Sequence, residues 1–376
     1  MNFQDIRMLL LADWEPIQLV AMGTAIVAGL LMIIFAIKSR RNYLKLPNLE
    51  LAEDNPEVLE KTSIVIPARN EEKNIERVLR SFLPHRVVVV DDGSTDRTAA
   101  LATAAGVMVA EPPALKRGTF GKPNACQTGS EMAPPSEWLM FVDADTWYER
   151  GFIPSLAAAA SRDQRMMISV FPRQECVTLA EKMILPYAFA LYFCGVSAEN
   201  LNDVSSPAAL ANGQCMFFRR SAYEFIGGHK SVLRSVIEDV ELARISKRHQ
   251  LPIGVYRAEK LASVRMYDSF GAIWSGFAKN AFRFLTVNPR TGLQVALASV
   301  VMTSWLPILL LQIYAQTWSS AVLFALLPSV LFYPWYGSLS RALLAPFGIY
   351  LFQAIAINAM IHTTFGLQTI WKGRPV

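Results

Sequence analysis

The hydrophobic positions along the chain change character twice. Residues 17–37 form a nearly unbroken apolar run in which Gln18 and Thr24 are the notable polar members. At about 1.5 Å of rise per residue, a helix of that length crosses a hydrocarbon core of roughly 30 Å. From residue 62 onward, short apolar runs alternate with helically spaced ones: Ser63-Ile64-Val65-Ile66 predicts a buried strand, residues 71–82 a helix, and residues 86–90 a second strand. A helix and strand over 98–105 and 107–110 follow, and Trp138-Leu139-Met140-Phe141-Val142 predicts another buried strand. Such a βαβ start implies a parallel sheet covered by helices, an α/β fold. Beyond Gly292 the chain turns apolar again over 293–315, 321–336 and 342–364, interrupted by Pro307, Pro328, Pro334 and Pro346. These runs read as three spans, or as two spans and a re-entrant piece.

Charge orients the first run. Its start carries Asp5, Asp13 and Glu15, while Lys38-Ser39-Arg40-Arg41 follows it, the pattern of a signal anchor rather than a cleaved signal peptide. The positive-inside rule then places the N-terminus outside and the following domain in the cytoplasm. The expected organisation is an anchor over 1–41, a polar, proline-interrupted linker over 42–60, an α/β domain over 61–262, an amphipathic interfacial segment over 263–290 and membrane helices over 291–376. One anchor and three further crossings would leave Lys372 and Arg374 outside, against the charge rule, so either residues 321–336 do not cross fully, the favoured reading, or the rule fails at this end.

Composition supports a membrane protein: 52% of the 376 residues are hydrophobic and mean hydropathy is +0.27. The net charge of +5 gathers beside the apolar runs, which points to anionic headgroups and away from nucleic acid. The four cysteines and four histidines show no metal-ligand spacing, and the cysteines read as isolated thiols suited to a reducing compartment.

Acidic residues at predicted strand ends carry the chemistry. Asp143-Ala144-Asp145 follows the Trp138 strand and presents two carboxylates suited to an oxygen-preferring cation, Mg²⁺ or Mn²⁺, bridging to a diphosphate. Asp91-Asp92-Gly93-Ser94-Thr95-Asp96 closes the second strand. There Ser94 or Asp96 serves as a helix cap and Gly93 as the turn, which leaves Asp91 and Asp92 to accept hydrogen bonds from a base and ribose. In Pro67-Ala68-Arg69-Asn70-Glu71-Glu72, Pro67 is expected to end strand pairing and Asn70 to cap the next helix. Lys122 in Gly121-Lys122-Pro123-Asn124-Ala125 can neutralise phosphate. Glu238-Asp239 opens a helical run, where acids are favoured by the helix dipole alone.

Taken in order from Pro67 to Asp239, these motifs resemble the family-two glycosyltransferases of the GT-A fold over about residues 62–285. The resemblance implies a Rossmann-like nucleotide-sugar domain with a UDP-sugar donor, held by Pro67, Ala68, Glu71, Asp91, Asp92, Lys122 and Asp143. It further implies a metal on Asp143 and Asp145, and Asp239 as the catalytic base of an inverting transfer. Asn212-Gly213-Gln214-Cys215-Met216-Phe217-Phe218 is similar to the family's acceptor side, with Asn212, Gly213 and Glu238 facing the acceptor, whereas Phe217 and Phe218 read equally well as core strand residues. Gly227-Gly228-His229 reads as a turn, with His229 a rival base.

Residues 265–282 place aromatics on one helical face and read as an interfacial helix. Where the similar processive synthases carry Gln-x-x-Arg-Trp, this chain has Gly276-Phe277-Ala278-Lys279-Asn280, which leaves Lys279 as a phosphate contact. That stretch, the single anchor and Trp371-Lys372-Gly373-Arg374 resemble the bacterial branch that glycosylates carotenoids, such as hydroxychlorobactene glucosyltransferases. The expected function is transfer of a hexose to a hydroxyl of a membrane lipid. The alternatives are a ceramide or hopanoid glycosyltransferase, a processive polysaccharide synthase, and a catalytically silent scaffold.

Overall fold

The computed structural model describes residues 15–82, 86–287, 289–365, 367, 370–371 and 374–375. They group into two compact units. One comprises Tyr43–Thr178, Ser197–Phe284 and the described residues from Asn358; the other comprises the described residues up to Asn42, with Leu179–Val196 and Leu285–Ile357.

The first unit is built on strands β1 (Thr62–Ala68), β2 (Arg86–Asp91), β3 (Met108–Ala110), β4 (Trp138–Val142), β5 (Thr146–Tyr148), β6 (Met167–Phe171), β7 (Arg173–Gln174), β8 (Cys215–Arg219), β9 (Ile253–Arg257) and β10 (Ala262–Val264). Seven of them form one sheet in the order β3-β2-β1-β4-β8-β6-β9. Its pairs are parallel except where β8 runs antiparallel to β4 and β6. Alternating residues divide between two cores: Ile64, Ile66, Val87, Val89, Met140 and Val142 face one side, and Val65, Val88, Val90, Leu139 and Phe141 the other. Both faces are therefore covered, which is why these strands read as continuous apolar runs. From β1 the chain steps to β2 and β3 on one side and later to β4 on the other. That reversal opens a crevice at the carboxyl ends of β1, β2 and β4, where ligands bind in sheets of this kind. A smaller sheet, β5-β10-β7, begins immediately after Asp145.

Pro67 does not end pairing. It sits opposite Val90 and the strand continues to Ala68 opposite Asp91. The Ala68 carbonyl accepts from Asp92 N at 2.8 Å, so alternation turns the Pro67 nitrogen towards β4, whose pairing with β1 stops at Val65; no ladder bond is lost. Residues 42–60, read as a linker, are docked: Leu46 and Leu49 are buried, Leu49 N donates to Arg257 O at 2.7 Å, and Arg257 N donates to Pro47 O at 2.8 Å.

Among the described residues, four helices are long and apolar enough to cross a membrane: Pro16–Leu44, Arg290–Tyr314, Trp318–Tyr336 and Ala345–Thr364. The expectation for 321–336 is corrected in length. The helix begins at Trp318, runs for 19 residues and contains Pro328 and Pro334 without ending at either, so its length and composition suit a crossing as well as the others. Leu179–Gly195, which falls within 61–262 in sequence, groups with these apolar helices. Ser39 Oγ donates to Ala190 O, Tyr336 OH to Met183 O at 2.7 Å, and Thr291 Oγ1 to Gly195 O at 3.2 Å.

Candidate active site

The β1 and β2 ends are tied together by bonds between the loops that leave them. Asn70, at φ 53°, does not cap the following helix Ile75–Arg80; its Oδ1 accepts from Thr95 N at 2.8 Å and its N–H donates to Ser94 Oγ at 2.9 Å. Glu71 N donates to Thr98 Oγ1 at 2.7 Å, and Glu72 N donates to Asp96 Oδ2 at 3.1 Å. Arg69 Nη1 reaches the carbonyls of Asp92 and Gly93. Asp91 accepts from the backbone and hydroxyl of Ser94, while Asp96 accepts from Thr98 N at 3.0 Å at the start of the next helix. Asp91 and Asp92 are both buried at the crevice.

Asp143 and Asp145 lie in a tight turn between β4 and β5 rather than on the strand itself. Thr146 closes this turn, its N–H donating to Asp143 O at 3.2 Å and its hydroxyl to the same carbonyl at 2.6 Å. Tyr148, which drew no attention in the sequence, stands behind it: its hydroxyl lies 2.8 Å from Thr146 Oγ1 and donates to Gln214 O at 2.6 Å. Because Val142 pairs with Cys215 in antiparallel register, the entry to β8 falls beside the turn.

Lys122 joins the pieces. It lies in the first turn of the helix Gly121–Met132, where the helix dipole disfavours a cation, and its Nζ stands 2.7 Å from Asp143 Oδ1 and 3.0 Å from Glu238 Oε1. Glu238 and Asp239 open the helix Glu238–Arg248. Asp239 Oδ2 accepts from Gly213 N at 2.8 Å and Oδ1 from Val240 N at 2.8 Å. A Cβ at Gly213 would lie 2.8 Å from Lys122 Nζ and 3.3 Å from Asp239 Oδ2, so only glycine lets the backbone approach this closely. Asn212 is held by Ser169, whose Oγ accepts from Asn212 N at 2.7 Å, and by Gln214, whose Oε1 accepts from Asn212 Nδ2 at 2.9 Å.

One ammonium thus serves several carboxylates. Burial opposes the charge on Lys122, but Asp143, Glu238 and Asp239 outweigh it and raise the group well above its ordinary value. Burial would also raise Glu238, yet Lys122 holds it below its usual range. Asp239 is the carboxyl left over: burial and the Glu238 charge push it up to about 7 against the pull of Lys122.

Two sequence readings resolve in favour of structure. His229 is fully buried, its Nδ1 lies 2.9 Å from the Tyr223 hydroxyl, and burial pushes it down to about 3, so it stays neutral. Phe217 stacks on Trp138 with centroids 4.6 Å apart, and Phe218 meets Phe141 edge-on at 6.2 Å; both are core residues.

Lys279 lies on the helix Phe270–Val287, half-buried, one turn beyond Gly276. Gly276 has a packing reason absent from the sequence reading: a Cβ there would lie 2.4 Å from the Tyr267 ring. The backbone just before Tyr267 touches the acidic turn, Arg265 N donating to Asp145 O at 3.3 Å. The predicted interfacial helix over 265–282 therefore begins at Phe270, after a loop that reaches the Asp143–Asp145 turn. Residues 372 and 373 of the terminal motif lie outside the described residues.

Comparison with known proteins agrees with this geometry. Residues 63–227 match the profile of Glycosyl transferase family 2. Over that stretch the chain is similar to the family-two glycosyltransferases. The matched stretch holds the motifs from Pro67 to Phe218, whereas the Glu238–Asp239 pair and Lys279 lie beyond it. The chain is 28% identical over 233 residues to the 4,4'-diaponeurosporenoate glycosyltransferase of Staphylococcus haemolyticus, and 30% identical over 252 residues to that of Staphylococcus aureus strain MRSA252. These alignments cover 60% and 65% of this chain and 62% and 65% of the relatives, less than two thirds of their length. Among solved structures, glucosyl-3-phosphoglycerate synthase from Mycobacterium tuberculosis, in complex with Mg²⁺ and uridine diphosphate, superposes at TM-score 0.43 with 19% identity, covering 66% of this chain and 87% of that one.

Proposed function

We propose that the chain is a family-two glycosyltransferase of the GT-A fold that transfers a hexose from a UDP-sugar to a membrane lipid of carotenoid type, with inversion at the sugar carbon. The observation that carries this reading is the position of Asp239: a half-buried carboxyl raised to about 7, beside the Lys122 ammonium that bridges Glu238 to Asp143. A group of that pKa can accept a proton near neutrality. In the proposed step Asp239 takes the proton of an acceptor hydroxyl as its oxygen bonds to the sugar carbon; the bond to the diphosphate breaks from the opposite face, and Lys122 offsets the charge that develops there.

Asp91 and Asp92, with Pro67, Ala68 and Glu71 beside them, would hold base and ribose, and Lys279 would add a phosphate contact. Asn212, Gly213 and Glu238 would border the acceptor. The donor set suits Mg²⁺ or Mn²⁺: the described residues contain no cluster of three protein ligands, and such ions commonly use one or two carboxylates together with substrate phosphates. Asp143 and Asp145 would hold the ion, which supplies Lewis-acid stabilisation of the leaving diphosphate. Lys38, Arg40 and Arg41 at the C-terminal end of the first apolar helix support a cytoplasmic catalytic face at the inner membrane.

The relatives' name offers a second acceptor chemistry, because diaponeurosporenoate is a carboxylate. An ionised carboxylate needs no base and would meet repulsion from the ionised Glu238; a carboxyl at Asp239 able to take a proton near neutrality therefore favours a hydroxyl. Lipid extraction and mass spectrometry from a carotenoid-producing host expressing the wild type or Asp239→Asn tests both. A hexose added to a carotenoid by the wild type alone, stable to mild alkali, supports the hydroxyl reading. An alkali-labile product identifies an ester, and no hexosylated lipid at all sinks the proposal.

A further inference from the structure

The helix that carries Asp239 holds the acceptor-side segment at two places. In its first turn Asp239 accepts from Gly213 N. Two turns later Lys247, only 6% exposed, donates from Nζ to the carbonyls of Asn200, at 3.3 Å, and Asp203. These carbonyls lie at the end of the short helix Ala198–Asn202, where backbone acceptors lack partners within the helix. The anchors are about 12 Å apart along one rod, at about 1.5 Å per residue.

Attachment of the short helix to the sheet does not depend on Lys247. Asn202 brackets Val255 of β9, accepting from its N–H at 2.8 Å and donating to its carbonyl at 3.3 Å. Arg165 Nη1 donates to Asn202 O at 2.9 Å and Ile253 O at 3.0 Å. The carboxylate of Asp203 is engaged by Ser205. Lys247 instead fixes the point where the chain leaves the helix, and Asn212 is fixed at the far end by Ser169. Between these points Ser205 and Ser206 lie among the apolar Val204, Pro207 and Ala208, all exposed or half-buried, before Ala209 packs on the core and Leu210 and Ala211 are buried.

We propose that residues 203–211 form an apolar acceptor-facing loop and that Lys247 is its positioning residue, referencing the loop to the same helix that presents Asp239. This rests on the lipid-glycosyltransferase reading above and adds to it the element that meets the apolar part of the acceptor. The full chain in lipid nanodiscs, as wild type, Lys247→Met and Lys247→Arg, provides the test through acceptor KM, UDP affinity and hydrogen exchange over 203–211. Loss of a charged donor to two carbonyls predicts an acceptor KM raised about tenfold in Lys247→Met, with faster exchange in the loop, unchanged UDP affinity, and most of the effect reversed in Lys247→Arg. Unchanged KM and exchange in Lys247→Met, or an equal loss of UDP affinity, overturns the proposal. Absence of lipid transfer by the wild type overturns the functional reading as well, so the two failures are distinguishable.

Discussion

In the proposed transfer Asp239 must be ionised when the acceptor arrives, and it is raised to about 7 by burial and by Glu238. Transfer to a hydroxyl should therefore rise with pH through about 7, measured as initial rate at saturating donor. Asp239→Asn should lose about 10²–10⁴-fold in rate while retaining UDP affinity. The same shift has a stability consequence of definite sign. An unfolded aspartate titrates near about 3.9, so the folded carboxyl contributes stability that is fully present below that pH and lost as pH rises through about 7. Asp239→Asn should raise the melting midpoint at pH 8 and leave it unchanged at pH 4; a midpoint that moves equally at both would contradict the assignment. At the turn after β4, Asp145→Ala should abolish the Mn²⁺ dependence of UDP binding, read by titration calorimetry.

At the scale of elements, Tyr267 seated on Gly276 links the helix Phe270–Val287 to the loop that touches Asp145. Gly276→Ala should cost about 1–3 kcal/mol of stability, the usual range for forced overpacking, and weaken metal-dependent UDP binding through the displaced Tyr267 loop. Gly271→Ala on the same helix meets nothing within 4 Å and should be silent; equal effects would mean that helix propensity rather than the Tyr267 contact is responsible. The contrast also shows what the sequence could reveal. Asp143 and Asp145 were visible because an apolar run leads directly into them, and Asp91, Lys122 and Asp239 because each sits at a boundary between patterns. Asn70 misled because capping is a local rule, whereas its bonds reach from residue 70 to residues 94 and 95. Pro67 misled because strand side, set by the neighbours' register, decides whether its missing N–H matters. Tyr148, Lys247 and the Tyr267–Gly276 contact carry no periodic signature, since each depends on which distant strand or helix lies alongside.

At the scale of the whole chain, four apolar helices predict that the protein stays in the pellet after alkaline carbonate washing of membranes and is released only by detergent; release by carbonate would rule out spanning helices. Leu179–Gly195 gives this unit a further property. The chain leaves the α/β unit after Thr178, adds a hydrophobic helix to the apolar unit, and returns at Ser197. Trimming both ends would therefore not yield a soluble enzyme: Ile184, Leu185, Leu191 and Phe193, buried here, would be left as a greasy flap in the middle of the fragment. Excising the flap would shorten the path from β7 to the loop that carries Asn212 and Gly213, so a cut made for solubility also falls on the segment proposed to border the acceptor.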